Sequence, residues 1–215
     1  MKRALVVGLT AGPLLLTGSG LGAAAALQAS SGGAFTTPDH RFGTSAVALK
    51  TDEIAVGSDT ARAGNPTPDV GELAQVKIVV RPVDPRVPLF VGVGPKDRVE
   101  GYLSGVKRDE FVSADLSPFR PVFRHLPGAS RATALPSRQG FWVASSAGSG
   151  TRVLKWNKSG GAWSVVVMRM DGQPGVDAYA SIGLRFGFLL PGAIIVLAAG
   201  AVPVVWVSVL RWRGR

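Results

Sequence analysis

The chain has 215 residues, 46% of them hydrophobic, with a mean hydropathy of +0.24 and a formal net charge of +10. It contains no cysteine, which excludes disulfides, thiol catalysis and thiolate metal sites. The basic excess is not a nucleic-acid footprint: five of the 24 basic residues sit in the terminal tails, and residues 28–185 hold the others with all 14 acids, at +5.

Lys2 and Arg3 precede an uncharged apolar run over 4–27. A helix needs roughly 20 apolar residues to cross a hydrocarbon core about 30 Å thick. The run is therefore read as a transmembrane helix. A positive start, an apolar stretch and the small residues after Ala23 also describe a cleaved signal peptide, which stays open as the alternative. Gly8 and Gly12 are four apart, as are Gly18 and Gly22, a spacing that lets helices approach closely in lipid.

Residues 28–40, rich in Ser, Gly and Ala at their start, read as a linker into a domain over 41–183. Strands are expected at 41–49 and 53–56. A loop with Asn65-Pro66-Thr67-Pro68 spans 57–72, and strands follow at 73–81 and 89–93. Val99, Tyr102, Leu103 and Val106 then fall at i, i+3, i+4 and i+7, one apolar face of a helix. Pro95 suits its first position, Asp97 its first turn and Lys107 its end. Gly101 and Gly105 share a face, where a strand is expected to approach closely.

Short strands are expected at 110–116 and 119–126 around Ser117-Pro118, then a polar loop over 127–138. Further strands are read at 140–146, 152–156, 162–170 and 176–182, with hairpin loops at 157–161 and 171–175. The run 163–168, apolar apart from Ser164, suits a central strand covered on both faces. The first strand leaves the membrane and the last returns to it, so 41–49 is expected to pair antiparallel with 176–182. On the latter, Val176, Ala178, Ala180 and Ile182 would share one face.

A second uncharged run, 186–210, reads as another transmembrane helix, kinked where Pro203 frees the Ala199 carbonyl. Arg211, Arg213 and Arg215 follow it. Short basic flanks stay in the cytoplasm, so residues 1–3 and 211–215 are expected inside the plasma membrane and 28–185 outside. Arg41 and Arg185 then mark the membrane interface, with Arg185 at the level of the lipid phosphates.

The stretch LFVGVGPKDRVEGYLSGVKRDEF over 89–111 resembles a family of uncharacterised envelope proteins of high-GC Gram-positive bacteria. So do the FWVASSAGSG, TRVLKW and WSVVVMRMDGQPGVD stretches over 141–177, and the excess of Arg over Lys fits such a genome. The resemblance covers the second half of the outer domain and the C-terminal anchor. The family pattern has Asn where this chain has Arg169. It implies an anchored envelope protein and carries no established activity, ligand or catalytic residue.

Few residues offer chemistry. Gly92-Val93-Gly94 before a helix suggests a dinucleotide loop, but Asp97 occupies the third glycine position and would repel a pyrophosphate. Gly92 and Gly94 read instead as turn and close-packing residues. The two histidines, His40 and His125, have no ligand spacing, and no metal or other cofactor is expected. Asp52-Glu53 and Asp109-Glu110 read as solvent-exposed pairs at strand ends, since adjacent strand residues face opposite ways. Trp142, Trp156 and Trp163 are expected in the core, with Trp156 and Trp163 facing each other across one hairpin. A sugar-binding platform is the alternative.

The fold class expected is mainly β: an extracytoplasmic antiparallel β-sandwich or open barrel with one helix, flanked by two transmembrane helices. The function expected is a non-enzymatic interaction or binding domain. Its partners would be the lipid bilayer and either another membrane protein or an anionic envelope polymer, not nucleic acid. A hydrolase acting on envelope material would gather His40 or His125 with a Ser and a carboxylate. A lipocalin-like carrier of an apolar molecule would enclose a cavity lined by Val and Trp.

Overall fold

The computed structural model describes residues 2–56, 74–116 and 119–213, with side-chain surroundings for 16–54, 75–115, 119–202 and 209. The expected loop at 57–72 and the Ser117-Pro118 turn lie outside the described residues. The chain forms two compact units. One is Met1–Phe35 with Arg185–Arg215, and the other is Thr36–Leu184.

The second unit is mainly β. Its strands in chain order begin with β1 (Phe35–Thr36, entered from the helical unit), β2 (His40–Thr44), β3 (Ala48–Thr51) and β4 (Ile54–Val56). They continue with β5 (Ala74–Pro82), β6 (Leu89–Pro95), β7 (Arg108–Leu116) and β8 (Phe119–Leu126). The last are β9 (Ala144–Gly148), β10 (Arg152–Asn157), β11 (Gly161–Arg169) and β12 (Val176–Phe186). They form two sheets. One has the order β1-β12-β5-β10, with β2 also on β12; the other has the order β8-β7-β3-β11-β6-β9, with β4 also on β11. The sandwich is not wholly antiparallel, because β3 and β7 run parallel.

The sheets face each other through a core of Ile78, Val80, Leu154, Trp156 and Ala178 from one and Leu89, Val91, Val93, Trp163 and Val165 from the other. A second core covers the opposite face of the larger sheet. There Val99 of helix α2 (Lys96–Tyr102; α1 lies in the helical unit), Leu103 at its C-cap and Val106 beyond it pack on Val47, Ala48, Val166 and Met168. The run 163–168 thus belongs to a central strand covered on both faces. Its odd residues meet the other sheet, and Val166 and Met168 meet the helix. The expected burial holds for Val99, Leu103 and Val106, which are 0 to 2% exposed, but the helix stops short of the last two. Tyr102 packs beside them, and its hydroxyl donates to the Ala134 carbonyl. Burial pushes the Tyr102 phenol up to about 12.

Several expectations need correction. The strand expected at 41–49 is two strands in different sheets. The hydroxyl oxygen of Thr44 accepts from the Ala46 N–H and turns the chain at Ser45, so β2 stays on β12 while β3 enters between β7 and β11. The pairing with β12 holds for β2, with Phe42 opposite Ala178 and Arg41 opposite Tyr179. The loops at 157–161 and 171–175 are not hairpins. Each carries the chain from one sheet to the other, with Gly161, Gly172 and Gly175 at positive φ. The alternation of β12 also breaks, because Ser181 is buried while Ile182 is half-exposed.

Helix α2 ends at Tyr102, with Pro95 as its N-cap. Gly101 faces open space, so it serves no close approach. The close contact is instead at Gly128, where a Cβ would strike the Gly105 carbonyl. Gly92 and Gly94 lie inside β6 rather than in a turn; a Cβ at Gly92 would collide with the Phe90 and Trp142 rings, and one at Gly94 would crowd Phe141 and Trp142. The close-packing part of that expectation therefore holds.

Candidate functional site

Among the described residues of the β domain the buried charged groups are Lys50 on β3 and Asp109 and Glu110 on β7. Asp109 and Glu110 are neighbours on β7, so their side chains point to opposite faces. Both were expected in solvent, yet Asp109 is 7% exposed and Glu110 2%. The reason is that β7 is an interior strand, paired to β3 on one side and β8 on the other.

The parallel register sets Lys50 opposite Glu110, and Arg124 of β8 lies opposite it on the other side. Lys50 Nζ is 2.9 Å and Arg124 Nη2 2.8 Å from the Glu110 carboxylate. Glu100 of α2 stands 3.8 Å from Lys50. Lys50 is 1% exposed, among the largest fully buried side chains of the described residues. Burial alone would raise the Glu110 pKa, but hydrogen bonds from Arg124 and Lys50 outweigh it and hold the carboxyl at about 2.

On the other face, Asp109 accepts from the Thr44 hydroxyl at 2.5 Å, and His125 Nδ1 lies 2.7 Å from its other oxygen. This joins β2, β7 and β8. It resembles a triad in composition only. The Thr44 hydroxyl donates to the carboxylate rather than to an imidazole, so His125 is not placed to activate it. His40 is elsewhere, stacked on Phe119 with ring centroids 3.7 Å apart. Among the described residues no three His, Asp or Glu side chains group as metal ligands.

Because stabilisation by Glu110 depends on its charge, it is complete above the unfolded carboxyl value near 4.5 and is lost as pH falls towards 2. The loss amounts to roughly 3 kcal/mol. Glu110→Gln should lower stability at neutral pH and flatten the acid limb of the stability–pH curve, measured by urea unfolding between pH 7 and 2.

The tryptophans do not form a platform. Trp156 and Trp163 are buried and meet edge to face at 5.6 Å, between the sheets rather than across a hairpin. These side chains, which a carrier would turn to a ligand cavity, fill the core instead. Trp142 is wedged among Phe90, Tyr102 and Phe141, with its Nε1 donating to the Pro136 carbonyl.

The helical unit consists of α1 (Lys2–Ser30) and α3 (Leu189–Arg213). Residues 28–30, expected in the linker, are helical. The helices are close enough that a Cβ on Gly18 would collide with the Leu197 side chain, and one on Gly22 would touch Ala193. The surroundings of Gly8, Gly12 and Pro203 lie outside the described residues. Leu16, Leu27, Leu190, Ile194, Ile195 and Val202 are all 59 to 75% exposed. Among the described residues no helix is long and apolar enough to cross a membrane. The described side chains cover 16–30 of α1, and 189–202 with Val209 of α3.

Gln28 is buried, and its side-chain amide grips Phe186 at both main-chain atoms: Oε1 accepts from the N–H at 2.7 Å, and Nε2 donates to the carbonyl at 3.4 Å. Of the two expected interface residues, Arg41 makes a two-pronged ion pair with Asp177 at 2.9 and 2.7 Å. Arg185 is exposed and has no ion-pair partner among the described residues. What the sequence reading missed is the Lys50–Glu110–Arg124 cluster. Its one signal was a lysine closing the apolar run Ala46-Val47-Ala48-Leu49.

No protein-family model matches this chain, and no curated protein matches it.

Proposed function

We propose that α1 and α3 anchor the chain in the plasma membrane and hold the β domain outside the cytoplasm as a non-enzymatic interaction module of the cell envelope. The observation that carries this reading is the outward surface of the helical unit. Six large aliphatic side chains between Leu16 and Val202 are mostly exposed there, while the inward contacts are made at Gly18 and Gly22. In water such a surface is costly; in lipid it is what helices present, and small residues are where they meet. The uncharged runs 4–27 and 186–210 have the length to span. The resemblance of 89–111 and 141–177 to actinobacterial envelope proteins points the same way.

Terminal basic residues set the orientation, with both ends in the cytoplasm. The β domain offers a partner the β7–β8 arm, where Val112 and Val122 are about half exposed and Arg124 and His125 are largely exposed. The partner is another membrane protein or an anionic envelope polymer. Protease added to intact protoplasts should digest the β domain and spare a tag placed after Arg215. A protected β domain, or a digested tag, would sink the topology. A mature N-terminus near Ser30 would show that the first helix is cleaved.

A further inference from the structure

The helical unit opens a cavity of about 460 Å3, lined by Gly22, Ala26 and Gln28 of α1 and by Arg185, Leu190 and Pro191. This is within the size range of pockets that hold small ligands. Its chemistry is divided. One wall is Gly and Ala, apolar and shallow. The polar groups are Gln28, whose amide is spent on Phe186, and Arg185, whose charge is unmatched among the described residues. The first turn of α3 carries no acidic residue. The rim is apolar at Leu190, which is 60% exposed.

We propose that this cavity binds one anionic phospholipid, its phosphodiester on the Arg185 guanidinium and the start of its acyl chain against Ala26 and Leu190. The inference rests on the anchoring reading above. A lone cation beside an apolar wall suits a ligand that carries both kinds of surface. A free phosphate would satisfy Arg185 and leave the rim bare. Unlike Arg41, which pairs with Asp177, Arg185 has no ion-pair partner among the described residues. Guanidinium also offers a planar fork that matches two phosphate oxygens.

The test uses the full chain in phosphatidylcholine vesicles containing a minority of phosphatidylglycerol, with spin-labelled forms of each lipid. The immobilised fraction should favour phosphatidylglycerol by about five-fold, as one arginine near the surface implies. Arg185→Gln should abolish that preference. Ala26→Leu, which fills the cavity, should reduce the immobilised fraction of phosphatidylglycerol. A preference for phosphatidylglycerol undiminished in Arg185→Gln would overturn the site, as would displacement of the labelled lipid by inorganic phosphate. Flotation of the same vesicles separates the two ideas. A chain that floats without lipid preference overturns the cavity alone, and a chain that does not float overturns the anchoring reading and this site with it.

Discussion

Replacing Lys50 with Met should destabilise the β domain by about 3–5 kcal/mol, and the double variant Lys50→Met with Glu110→Leu should recover most of that loss. The single change leaves Glu110, 2% exposed, with only the solvent-facing Arg124 against its charge. A buried charge stripped of its partner costs far more than the pair contributes, because the desolvation of both ions has already been met in the folded state. Removing both charges replaces the pair by apolar side chains of similar length beside Val166 and Met168, where the neighbouring surface is already apolar. Arg124 is left without Glu110, but its side chain is 57% exposed and water can solvate it. Urea unfolding of the full chain, followed by tryptophan fluorescence, gives all four corners of the cycle. A double variant as unstable as the sum of the two single ones would mean that the ions are needed as ions.

The same cluster shows where the sequence was legible and where it was not. Periodicity located α2, because a face repeating every three or four residues points to a helix, and a short valine-rich run, apolar but for Ser164, located the covered strand β11. Periodicity could not locate Asp109-Glu110, because alternation tells which face a side chain takes and not what covers that face. Burial of the pair depends on β3 arriving beside β7 in parallel, a contact between residues about 60 apart. The corners failed for a related reason. Gly and Asn at 157–161 mark a change of direction, and the same composition serves a hairpin or a passage to the other sheet. The break at Ser45 was hidden because the alternation of 41–44 runs straight into the apolar 46–49. Only the Thr44 hydroxyl, bound to Asp109 and to the Ala46 N–H, makes the turn visible.

Leu103→Asp should unfold the β domain outright. Leu103 is fully buried at the end of α2, in the core formed with Val99, Val106, Val166 and Met168. A carboxylate there loses its hydration, and none of those neighbours offers a hydrogen bond, so the cost exceeds about 4 kcal/mol, much of what a domain of this size has. A cation stands close by at Arg108, whose Nη1 donates to the Leu103 carbonyl at 2.8 Å and to the Val106 carbonyl at 3.4 Å. That position already serves the helix end, where carbonyls lack partners and a positive charge is favourable. Val99→Asp, one turn further from Arg108, is the matched variant and should be equally damaging. Leu103→Met keeps volume and apolarity and should cost less than about 1.5 kcal/mol. Melting of the three variants beside the parent chain checks the ranking. If Leu103→Asp melts with the parent while Val99→Asp does not, the carboxylate has found Arg108. If both melt with the parent, the helix does not bury this face.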